Sequence, residues 1–139
     1  MKVIFYSLLA TILLSSATCK KVQPDTNLEK QLIGIWKYTG KSGGYAGKSE
    51  KADPAISQTL EFKSGRHYTR KMNDKITEEG LYELYKTKSI YSGKEDNAIR
   101  FGTDSNHLSR NSIISLQKDS LTIADNVYDG FKTAYIRIK

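Results

Sequence analysis

One cysteine, two histidines and two prolines are all that the 139-residue chain contains of these types. A lone thiol has no partner within the chain, so no disulfide framework can hold the fold. His67 and His107 have no Cys, His or acidic residue at metal-site spacing, which leaves no zinc-type motif. No Gly-x-Ser-x-Gly elbow marks a hydrolase nucleophile. The stretch from Ser42 to Ser49 comes one residue from a phosphate-binding loop, but Ser42 stands where the first glycine belongs. Pro54 and the strand-like run from Ile56 to Phe62 deny the helix that such a loop must open, so a flexible loop is the better reading. Asp125-Asn126 and Asp129-Gly130 lack the spacing and terminal Glu of a calcium loop and read as turn formers. The expectation is a chain with no catalytic residues, no metal and no cofactor.

Long runs of one kind are missing as well. The apolar stretch from Val3 to Leu14 follows Lys2 and is well short of the roughly 18 residues of a membrane span. Small residues, Ser15-Ser16-Ala17-Thr18, then lead to Cys19, the pattern of a secretory signal. This ending resembles the lipobox of bacterial lipoproteins, although Ser16 and Thr18 differ from the residues usual at those places. The resemblance implies a signal peptide over 1–18, cleavage before Cys19 and acylation of Cys19; an ordinary signal peptide with an incidental cysteine is the alternative. It places the protein in the bacterial cell envelope, lipid-anchored to a membrane and facing the periplasm, with Lys20 and Lys21 at the head groups. Residues 19–26, polar and containing Pro24, read as the lipidated tether between membrane and domain.

Removing Lys2 with the signal leaves 21 basic against 15 acidic residues, a net charge of +6. The signs alternate along the chain, as in Lys48-Ser49-Glu50-Lys51 and Lys94-Glu95-Asp96. No basic block with interleaved stacking partners exists, which argues against nucleic acid as a partner. The remaining length suits one domain, 27–139, with one core.

Helical periodicity is confined to Thr26–Leu32, where Thr26 and Glu29 have capping-box spacing. After it come short β-rich runs at 33–39, 56–63, 67–72, 76–85, 89–91, 98–101, 112–117, 120–124 and 131–138. In 56–63, Ile56, Leu60 and Phe62 share one face; in 76–85, Gly80, Tyr82 and Leu84 do. Gly80 inside its strand suggests a bulge or bend. Loops at Gly40 to Ala55 and Gly102 to Arg110 are long for hairpins and are expected to frame one opening. The fold class is all-β: an antiparallel up-and-down barrel of about eight strands with a short N-terminal helix, closure being favoured because it leaves no exposed edge.

Gly34-Ile35-Trp36, just after the helical turn, resembles the Gly-x-Trp signature that opens lipocalin barrels. Arg137, in Tyr135-Ile136-Arg137-Ile138, stands where that family places an arginine across the tryptophan ring. The wider pattern is similar to small lipocalin-like lipoproteins of bacteria, through Leu60-Glu61-Phe62, Asp119-Ser120-Leu121 and Asp129-Gly130-Phe131. The resemblance implies a structural clamp of Trp36 and Arg137 at the barrel floor.

Nine tyrosines, four phenylalanines and one tryptophan make aromatics the one abundant class. Tyr68, Tyr82 and Tyr135 beside Phe62 and Phe101 could line a mouth that binds a small apolar or amphipathic ligand, or could simply fill a narrow barrel. The resulting expectation is a non-catalytic, membrane-tethered barrel that binds a small ligand. Its rival is a protein-binding module, an inhibitor or assembly factor, that uses a filled barrel and its loops; the protein partner is unknown.

Overall fold

The computed structural model describes residues 26–102 and 111–139. The signal peptide 1–18, Cys19, most of the tether, His107 and most of the loop expected at Gly102 to Arg110 lie outside the described residues. One α-helix, α1 (Thr26–Leu32), precedes nine strands: β1 (Gly34–Gly43), β2 (Lys48–Lys51), β3 (Gln58–Phe62), β4 (His67–Met72), β5 (Lys75–Lys88), β6 (Glu95–Gly102), β7 (Ser112–Gln117), β8 (Ser120–Asp125) and β9 (Phe131–Arg137). Every pairing is antiparallel between sequence neighbours, except that β1 also pairs with β3 and with β9. That last ladder closes an eight-stranded up-and-down barrel, with β2 as an added strand on the far half of β1.

Turn chemistry explains the tightest connections. Asn73 and Asp74 both take positive φ, 49° and 62°, which a two-residue hairpin needs for its twist to match the strands. The Ser64–Arg66 3-10 turn places Gly65 at φ 72°. Between β1 and β2, the glycine-rich segment makes a hairpin rather than the flexible loop expected there. The expected strand at 89–91 is instead the β5–β6 connection: Ser89 Oγ accepts from the amides of Tyr91 and Ser92 and folds the chain into a turn. The ladder irregularity falls at Arg70/Lys71 of β4, opposite Ile76 to Glu78, and not at Gly80, which pairs in register with Tyr68.

Strand alternation sets the core. Leu60, Phe62, Tyr68, Tyr82, Leu84, Ile99 and Phe101 point inward from one side of the barrel; Ile114, Leu121, Ile123 and Tyr135 do so from the other. At one end α1 acts as a plug, burying Leu28 and Leu32. The β3–β4, β5–β6 and β7–β8 turns belong to that closed end; the β1–β2, β4–β5 and β8–β9 turns belong to the open end. The β5–β6 turn then folds back across the outer face of the barrel. There Asn126 accepts from the Ile90 amide and donates to the Lys88 carbonyl, and the Tyr91 hydroxyl donates to the Asp125 carbonyl.

Candidate functional site

The closed end is built around Trp36. Its indole N–H donates to the Leu32 carbonyl at 2.8 Å, joining the first strand to the end of the helix. The Arg137 guanidinium lies over the indole ring, 4.2 Å from its centroid. The same guanidinium donates to the Ile33 carbonyl at 2.9 Å and to the Gln31 carbonyl, so one side chain ties β9, β1 and α1 together. Gly34 is required here for space: at φ +139°, a Cβ would stand 2.4 Å from the Lys139 carbonyl oxygen and 2.7 Å from Arg137 Nη1. The glycine of Gly-x-Trp thus makes room for the C-terminal backbone and for the arginine that covers the ring. Trp36 and Arg137 act as a floor and touch none of the space at the other end.

Above that floor the interior is aromatic. Phe62 meets Tyr82 edge-on at 5.0 Å, Tyr68 meets Phe101 edge-on at 4.8 Å, and Phe62 and Phe101 lie 6.1 Å apart. Such edge-to-face pairs add specificity to their buried area. Phe62, Tyr68 and Tyr82 are almost wholly buried, so these three rings are interdigitated and fill the barrel. Burial pushes the Tyr82 hydroxyl up to about 12, and the hydroxyl has no hydrogen-bond partner among the described residues. The Tyr68 hydroxyl is also pushed up, first by burial and then by its bond to Glu78 Oε1 at 2.6 Å.

Toward the open end the filling stops. A recess of about 330 Å³ is lined by Phe101, Ser112, Ile123, Thr133 and Tyr135, with Arg70 and Asp125 as its charged groups. Of the five aromatics singled out in the sequence, Phe101 and Tyr135 reach this recess; Phe62 and Tyr82 lie beneath it. Tyr68 forms part of the wall support: Glu78 accepts its hydroxyl and lies 3.2 Å from Arg70 Nε. That pair holds the Arg70 guanidinium 4.7 Å over the Phe101 ring. Tyr135 stands edge-on to Tyr38 at 6.0 Å, and burial raises its ionisation, with Arg70 acting the other way. Asp125 Oδ2 accepts the Phe131 amide, which pins the β8–β9 loop at the rim.

Arg70, Glu78 and Asp125 were absent from the sequence-derived site. Arg70 and Tyr68 share a face two residues apart, which is the signal that could have placed the arginine inside. Around the rim, Tyr45 is 96% exposed and Tyr128 87% exposed, with Phe131 half-exposed between the two loops. Among the described residues no cluster of three or more metal-ligating side chains occurs, and no helix is long and apolar enough to cross a membrane. No protein-family model, curated protein or solved structure gives a match to the chain.

Proposed function

We propose that the protein is a lipid-anchored, lipocalin-like barrel of the bacterial envelope that binds a small amphipathic ligand in the shallow recess at its open end, without catalysis. The recess over the aromatic floor carries this reading. Its volume of about 330 Å³ lies at the small end of ligand pockets and matches a molecule of up to about three rings, not a long chain. Phe101, Ile123 and Tyr135 offer apolar surface, and Arg70, Ser112 and Thr133 offer polar contacts for a head group. Anchorage at Cys19 would join the lipid to α1, hence to the closed end, and leave the mouth directed away from the membrane.

The solid interior and the exposed Tyr45 and Tyr128 favour a second reading, a rigid protein-binding platform presenting its rim. Titration with the neutral dye N-phenylnaphthylamine separates the two. Small-ligand binding requires saturable dye uptake that Thr133→Trp abolishes while the far-UV spectrum is kept. No uptake, or uptake indifferent to Thr133→Trp, would leave the platform. Intact-mass analysis of protein from its native envelope checks the anchor: an unmodified Cys19 or cleavage elsewhere removes it.

A further inference from the structure

The barrel wall is not equally sealed. Most neighbouring strands are laddered over most of their length, as in β5–β6 from Leu81↔Gly102 to Lys88↔Glu95 and β7–β8 from Ser112↔Asp125 to Gln117↔Ser120. Across the β6–β7 seam the described pairs are Ala98↔Ile113 and Ile99↔Ser112 alone. Toward the closed end, Glu95 to Asn97 and Ile114 to Gln117 are strand residues with no partner across this seam.

A recess of about 380 Å³ lies there. Leu116, which packs inward, and Ser115, which is exposed, both line it, and Asp96 and Asn97 border it from β6. Side chains from both faces of one strand can share a recess only if it sits at the strand's edge. It is therefore a slot in the wall, with Leu28 of α1 behind it.

An unpaired strand edge presents backbone N–H and C=O groups at β spacing, and such an edge recruits another strand. We propose that this slot takes up an extended segment of a partner polypeptide, which adds to the free edge of β7 as an extra strand. Main-chain hydrogen bonds to the edge would supply affinity, and alternate side chains would supply selectivity. On the inner side, Leu28 and Leu116 call for an apolar residue of modest size. On the outer side, the Asp96 carboxylate, which accepts the Ser92 hydroxyl through one oxygen, is the one charged group lining the slot among the described residues, and it calls for a lysine or arginine on the segment. This interaction is separate from the mouth in position and in ligand chemistry.

Amide hydrogen exchange of the full-length protein in detergent, followed by NMR with and without the peptide acetyl-Lys-Val-Thr-Val-Thr-Lys-amide, tests it. In the free protein, the amides of Glu95 to Asn97 and Ile114 to Gln117 that point across the seam should exchange far faster than that of Ile123. Peptide should slow them by roughly tenfold or more. Asp96→Lys should weaken this peptide and strengthen the version with Glu in place of Lys. Seam amides already as slow as Ile123, protection appearing at β2 in place of the seam, no protection anywhere, or indifference to Asp96→Lys would each overturn the proposal.

Discussion

Replacing Arg137 with alanine removes a guanidinium that covers Trp36 and holds two carbonyls at the end of the helix. The stacked cation–π contact is worth about 0.5 to 2 kcal/mol. The bonds to Gln31 and Ile33 lie in exposed backbone that water can reach, so together they add about 0.5 to 1.5 kcal/mol. The contact with Asp119, whose side chain is 78% exposed, adds almost nothing. Arg137→Ala should therefore destabilise the barrel by roughly 1 to 3 kcal/mol, which for a domain of this size lowers Tm by about 3 to 15 °C. Urea unfolding followed by Trp36 emission measures it, and the folded variant should show a red-shifted spectrum because the ring loses its cover. Arg137→Lys should recover little, since an ammonium cannot stack flat and reach both carbonyls. A double-mutant cycle with Trp36→Phe isolates the pair, because loss of the indole bond to Leu32 enters both the Trp36→Phe variant and the double variant and so cancels. Additivity of the two changes within about 0.5 kcal/mol would refute the clamp.

Gly34→Ala should cost about 2 to 4 kcal/mol, since it combines a left-handed φ with a clash against the Lys139 carbonyl, and thermal unfolding should show a loss no smaller than that of Arg137→Ala. Tyr82→Phe removes a buried hydroxyl without a partner, so denaturant unfolding should find the variant unchanged or up to about 1 kcal/mol more stable. The raised Tyr82 ionisation sets an alkaline limit: below pH 10 folded and unfolded chains both keep the proton, and above it the unfolded chain loses the proton first. Stability should thus fall as pH rises from 10 toward 12, with phenolate absorbance growing together with unfolding, and Tyr82→Phe should soften that fall.

Period-two alternation made the half-buried strands readable, because in 58–62 Leu60 and Phe62 are covered by core while Thr59 and Glu61 on the other face stay partly exposed. The barrel floor was readable for a different reason: Gly34, Trp36 and Arg137 are rare residue choices tied to one geometry. Strand β2 was not readable, since Lys48-Ser49-Glu50-Lys51 is exposed throughout and is held to β1 by backbone pairing and the exposed Lys41–Glu50 ion pair. Ile90 and Tyr91 gave Ser89 to Tyr91 a strand-like composition, yet the Ser89 hydroxyl caps a turn there, a local bond that propensity does not register. The depth to which aromatic rings fill the barrel depends on strand tilt and shear, which alternation does not encode. Hence Phe62 and Phe101 looked alike in sequence, although only Phe101 reaches the open recess. Charged groups at the mouth were concealed for the same reason: Arg70 reads as a surface residue until Phe101 and Glu78 are seen beside it.

Binding at the mouth is tested most directly by an NMR titration of the full-length protein in detergent with N-phenylnaphthylamine. The expected shifts cluster on Ser112, Ile123, Thr133 and Tyr135, while the Trp36 indole resonance, at the opposite end beneath the filled interior, stays in place. Shifts centred on Trp36 and Leu60, or no saturable shift at all, would contradict a ligand seated at the open end.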